Sequence, residues 1–281
     1  MSEQKVFANR KPVKKAPFVR SVKPKTLVLR TAGTNCDKET CYAFELAGAR
    51  CDLIHVKRLT EGKCLLSDYD ILVIPGGFSY GDDIAAGRVL ANEIKHSVYD
   101  QLRRFTERGG LVLGICNGFQ VLVKLGLLPN IDSSYRQQVS LAWNSSNRFE
   151  DRWVYLKATS SKSVFVEKGQ MLYLPIAHAE GKIVLENEET KEKLVTNDQI
   201  VFKYVDKNGN AGKYPVNPNG SILDIAGICD PIGRVLGVMP HPERHIFGYQ
   251  HPKWTRNGLK EEGDGFSIFR NAVNYAKQYG G

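Results

Sequence analysis

Apolar residues arrive along this chain in short dense runs, among them TLVLR, CDLIHV, YDILVIPGG, LVLGI and RVLGVMP. Such runs, stopped by glycine, proline or charge, predict strands, most of them buried on both faces. Between them lie segments with helical spacing. In DKETCYAFELAGA (37–49), Cys41, Phe44 and Ala47 share a face, and Asp37 is the expected N-cap. VYDQLRRFTERGG (98–110) predicts a helix that stops at Gly109 and Gly110. NGFQVLVKLGLL (117–128) predicts another, with Phe119, Leu122 and Val123 inward. Strands alternating with helices predict an α/β fold: an open, mostly parallel sheet with helices on both faces.

From about residue 139 the pattern changes. QVSLAW, RWVYLKAT, MLYLPIAHAEG, QIVFKYV and ILDIAGICD follow one another with turn-rich gaps and little helix, until GFSIFRNAVNYAKQYG forms an amphipathic helix. These runs predict added β-strands on the same sheet, so residues 26–281 are expected to form one domain. Residues 1–25 differ: they hold eight Lys or Arg against one acid, and carry +7 of the net charge of +9. Pro12, Pro17 and Pro24 break the segment, which reads as a basic, disordered tail; an arm for an acidic partner is the alternative. The remaining body is nearly neutral, so its charge gives no support to a nucleic-acid groove. No apolar run is long enough for a membrane span, and the N-terminus lacks a signal-peptide core. None of the six cysteines forms a C-x-x-C pair, which predicts free thiols in a reducing, cytoplasmic setting.

Four unusual loops each follow a predicted strand: TAGTNCD (31–37), PGGFSYGDD (75–83), CNGF (116–119) and PHPERH (240–245). Ligands of open parallel sheets bind at the carboxyl ends of strands, so these loops propose a site. Cys116 lies in G-x-C-x-G between a strand and a helix. A sharp turn there exposes the thiol, the helix N-terminus favours thiolate, and the Asn117 N–H faces a developing oxyanion. A structural thiol is the alternative. Gly76 and Gly77 present backbone N–H groups that an oxyanion needs, or form a plain turn; Asp82 and Asp83 read as helix caps. Pro242 pushes His241 toward extended chain, which turns His241 and Glu243 the same way. Cysteine, imidazole and carboxylate then supply nucleophile, base and orienter. A metal set of His241, Glu243 and His245 is a rival. The zinc-deaminase signature that H-x-E opens lacks its downstream cysteine pair, and no metal is expected.

These residues resemble the class I glutamine amidotransferases: the G-x-C-x-G elbow, Gln120 four residues on, and the late H-P-E. PGGFSYGD, GICNGFQVL, GLLP, NSSNRFEDRW, PIAHAEG, NPNGS, IAGICD and VMPHPERH narrow the resemblance to glutaminase subunits of phosphoribosylformylglycinamidine synthase, over about residues 26–247. The resemblance implies a flavodoxin-like architecture and hydrolysis of glutamine. The ammonia passes to a large synthetase subunit that uses Mg-ATP to aminate formylglycinamide ribonucleotide, and a small subunit bridges the two. It implies no cofactor in this chain. It assigns Cys116, His241 and Glu243 to the triad, and Gly77 and Asn117 to the oxyanion. Glutamine would contact Gly76, Gln120 and the stretch with Ser146, Arg148 and Phe149. His178 in PIAHAEG matches the pattern without an assigned role. Another Cys-His-Glu hydrolase of the same fold, or a non-catalytic regulatory subunit, are the alternative readings. DIAAGRVLA after Asp82 departs from the Tyr-Leu-Arg form of shorter members.

Overall fold

The computed structural model describes residues 23–82 and 85–279. Its strands are β1 (Lys25–Arg30), β2 (Arg50–His55), β3 (Ile71–Ile74), β4 (Leu111–Ile115), β5 (Val139–Ala142), β6 (Glu150–Ala158), β7 (Met171–His178), β8 (Lys182–Leu185), β9 (Ile200–Val205), β10 (Ile225–Cys229) and β11 (Val235–Val238). Nine of them form one sheet in the order β2-β1-β3-β4-β11-β10-β9-β6-β7. The half from β2 to β11 is parallel; from β11 to β7 every pairing is antiparallel. β3, β4, β10 and β11 are buried at every position, as their unbroken apolar runs require. The added strands of the second half join the main sheet as expected, except that β5 pairs with β8 in a separate two-stranded sheet.

Strand order reverses between β1 and β3. Right-handed crossovers run from β1 to β2 in one direction and from β3 to β4 in the other, so their helices cover opposite faces. Helix Asp37–Leu46 packs with helix Phe266–Tyr279, where Phe44 meets Phe269 edge-on at 5.1 Å. Helices Arg88–Ser97 and Tyr99–Glu107 belong to the other crossover, and Asn117–Lys124 packs against the first of them. Among the described residues no helix is long and apolar enough to cross a membrane.

Three local expectations are corrected. Asp37 is the first residue of its helix, not the cap: Cys36 holds the N-cap position, and Asp37 pairs with Arg30 at 3.0 Å. Helix Glu188–Thr196, capped by the Asn187 side chain on the Thr190 N–H, lies where little helix was expected. Strand β1 also starts one residue before the predicted TLVLR run, at Lys25. The rest of the basic segment, residues 1–22, and Asp83 lie outside the described residues.

Candidate active site

Register sets the site. Ile74 pairs with Gly114, and Ile115 with Val238, so β3, β4 and β11 release their loops at one level of the sheet. The β1 loop joins them: Thr34 bridges Gly77, and the Cys36 N–H reaches the Gly76 carbonyl at 3.4 Å. All four loops singled out in the sequence therefore meet beside the point where strand order reverses, where such sheets bind ligands.

Cys116 sits between β4 and its helix at φ +51 and ψ −104. A non-glycine residue there is strained, as at the nucleophile turn of hydrolases. Two glycines make the turn buildable. A Cβ on Gly118 would fall inside the Ile74 carbonyl, and one on Gly114 would stand 2.8 Å from the Gly118 backbone. The chain is fixed at the Cys116 N–H, which donates to Val238 at 2.8 Å. The Cys116 thiol is buried, 3.8 Å from the Ala177 carbonyl.

His241 and Glu243 meet at 2.6 Å, Nδ1 to Oε1, and both are buried. They do so across a tight turn, Pro242–Arg244, rather than along extended chain, so the expected contact holds for a different reason. Glu243 fixes the tautomer: Nδ1 carries the proton it donates, and Nε2 presents its lone pair. Among the described residues Nε2 has no hydrogen-bond partner. Burial opposes charge on the ring, but the Glu243 carboxylate, helped by Cys116 and Cys36, outweighs it. His241 is held well above the ordinary imidazole range. The ring is therefore a strong proton acceptor, and it can hold the Cys116 proton as an imidazolium once the thiol attacks.

The remaining expected residues divide. The N–H groups of Gly77 and Asn117 make no hydrogen bond among the described residues, which leaves them open to an oxyanion. The Asn117 side chain donates to Asp82 at 2.9 Å and to Gln120 Oε1 at 3.2 Å. Gln120 is buried and donates to the Glu180 carbonyl at 2.6 Å, so its amide is held within the chain. Ser146 donates to Glu150 at 2.9 Å, which pairs in turn with Arg152. Arg148 and Phe149 are exposed on the same loop. Ser146 also lines the wall of a 690 Å³ cavity formed with Lys213, Tyr214 and Asp224; the triad does not line it.

His178 is buried, and its role follows from Asn144. The Asn144 amide nitrogen donates to two carbonyls, Arg148 at 2.9 Å and His178 at 2.8 Å, so its oxygen faces the His178 ring. His178 Nδ1 donates to that oxygen at 3.1 Å. Burial, with His241 nearby, pushes His178 down to about 3, and the ring is neutral. His178 thus braces the loop of Ser146–Phe149 against the strand beside Cys116.

Sequence reasoning missed Cys36. Its thiol donates to Asn35 Oδ1 at 3.1 Å, accepts from Arg244 at 3.1 Å, and lies 3.8 Å from His241 Nδ1. The only signal was its place in a loop already singled out. The metal reading changes as well. His245 turns away and donates to the Tyr173 carbonyl, so the set that converges within 4.8 Å is Cys36, His241 and Glu243. The short His241–Glu243 hydrogen bond and the adjacent Arg244 cation both oppose an ion there.

The chain matches the family model of the CobB/CobQ-like glutamine amidotransferase domain over residues 23–276. It is similar to the phosphoribosylformylglycinamidine synthase subunit PurQ of Dehalococcoides mccartyi, 51% identical over 258 residues, or 91% of this chain and 99% of that one. The protein of the same name from Methanococcus maripaludis is 45% identical over 267 residues, 90% of this chain and 98% of the other. Among solved structures, a chain of PurLQS from Thermotoga maritima matches with a TM-score of 0.69 at 32% identity, covering 90% of this chain and 99% of that one.

Proposed function

The chain belongs to the CobB/CobQ-like glutamine amidotransferases, and from that premise we propose that it is the glutaminase subunit of phosphoribosylformylglycinamidine synthase. It supplies ammonia from glutamine to a synthetase subunit for de novo purine synthesis, in a complex with that subunit and a small third subunit. Mg-ATP chemistry belongs to the synthetase, this chain needs no cofactor, and the complex works in the cytoplasm.

The observation that carries the mechanism is Cys116 on its strained turn, with a buried His241–Glu243 pair across the Gly76 gap. Cys116 attacks the side-chain amide carbon of glutamine. Its proton goes to His241 Nε2, and the tetrahedral oxyanion takes the Gly77 and Asn117 N–H groups. His241 returns the proton to the leaving nitrogen, ammonia departs, and a γ-glutamyl thioester remains. Water, activated by the same imidazole, breaks the thioester and releases glutamate. Glu243 holds the tautomer and supports the transient imidazolium.

The test is a pair of rates on the assembled synthase. Cys116→Ala should lose glutamine-dependent amination by several orders of magnitude, on the scale of other nucleophile deletions. Ammonium at high pH should restore amination, because the partner needs ammonia whatever its source. Near-normal glutamine use by the variant would overturn the mechanism.

A further inference from the structure

A second group of thiols lies away from the triad, around a cavity shared by helix Asp37–Leu46 and strand β2. Cys41 on that helix, Cys51 on edge strand β2, and Cys64 beyond it all line one cavity of 550 Å³. Cys51 and Cys64 are half-buried, and Cys41 is buried. All three are free. The other described cysteines, Cys36, Cys116 and Cys229, are buried, and none of them lines this cavity.

We propose that Cys41 and Cys51 form a reversible disulfide, a modification site for peroxides and small disulfides that is separate from the catalytic thiol. Three observations carry it. Helix and strand pack directly together and bring the two residues to the wall of one cavity. The cavity opens to solvent at Cys51, which gives an oxidant access. The Cys51 thiol beside Cys41 lowers Cys41 below the ordinary thiol range, while Cys41 and burial push Cys51 up. In the proposal Cys41 attacks as the thiolate and Cys51 is the resolving thiol.

The steps balance. The Cys41 thiolate attacks one peroxide oxygen, the O–O bond breaks, and hydroxide leaves to take a proton as water. The resulting sulfenic acid is attacked by Cys51. The S–S bond forms, the S–O bond breaks, and the hydroxyl leaves with the Cys51 proton as a second water. Two thiols supply the two electrons that reduce one peroxide. Cys64 donates toward the Tyr69 hydroxyl at 3.7 Å, and Tyr69 donates to Asp52 at 3.0 Å. That chain ties Cys64 to other partners and leaves Cys51 as the resolving group.

The experiment uses the full chain carrying Cys116→Ala, so that oxidation of the nucleophile does not compete. The protein is treated with hydrogen peroxide or with oxidised glutathione, free thiols are blocked by alkylation, and peptides are mapped by mass. The expected product is a Cys41–Cys51 cross-link, two hydrogens lighter, reversed by dithiothreitol and absent from Cys51→Ser. Circular dichroism checks that Cys51→Ser is folded. A second readout is phenylarsine oxide, which bridges two neighbouring thiols: it should bind one equivalent to the parent and lose that binding in Cys51→Ser. Separate alkylation of Cys41 and Cys51 after full oxidant exposure, or a cross-link that uses Cys64 in place of either, would overturn the proposal.

Discussion

Gly76 is the space between Cys116 and His241. A Cβ there would stand 2.7 Å from His241 Cε1 and 3.5 Å from Cys116 Cβ. Gly76→Ala should therefore push the imidazole away from the thiol without touching either side chain's identity. Misplacement on this scale costs about 10²-fold. Glutamine-dependent activity should fall by at least that much, while ammonium-dependent amination by the complex is kept. Unchanged glutamine kinetics would show that the ring has room to move and that the gap is incidental.

Cys36 and Cys116 flank the same imidazole but should differ in reactivity. Cys36 is fully buried, and burial is the main cause that raises its thiol above the ordinary range. A glutamine-mimicking chloroketone at neutral pH should label Cys116 and leave Cys36 unmodified. Peptide mapping reads the ratio; comparable labelling at Cys36 would contradict the assignment.

Glu243→Gln keeps the shape of the dyad and removes its charge. Carboxylate loss at such an orienter costs about 10⁴-fold in a serine triad, and a loss of about 10² to 10⁴ is expected in kcat here. Glu243 is the main group raising His241 against its burial. Without it the imidazole gives up its proton at lower pH, so the His241 limb of the kcat/KM profile should move toward acid. A profile that stays in place would assign the raised value to Cys116 and Cys36 instead.

The sequence made the chemistry of this site legible through loops that each follow a parallel strand, because sheet geometry alone brings them together. What it hid was set by contacts between distant segments. Cys36 owes its place to the Thr34–Gly77 bridge and to Arg244, 208 residues away. The placing of β11 between β4 and β10 follows from pairing choices that no local pattern encodes. Helix Glu188–Thr196 escaped notice because it buries only Thr190 and Leu194, too little for an apolar stripe, although Asn187 was a readable cap.

His178 should make the fold acid-sensitive. Its ring stays neutral down to about 3 when folded, whereas an unfolded imidazole takes a proton near 6.5. Between these values the unfolded chain binds the extra proton, so stability falls as pH drops through the window, by up to about 1.4 kcal/mol per pH unit. His178→Gln removes that slope. Urea unfolding of both proteins at pH about 7.5 and about 5 should show the parent's advantage shrinking in acid. A pH-independent difference would mean that His178 is protonated in the fold or relieved by movement.

The hydrogen bond from Cys116 to Val238 spans nearly half the chain. On the ribosome, β4 and its turn emerge long before β11, and the base two residues beyond Met239 emerges later still. Until then the turn lacks the strand that fixes it, and the thiol lacks its proton acceptor. Nascent and truncated chains should accordingly be silent toward glutamine, so that ammonia is released only by chains translated almost to their end.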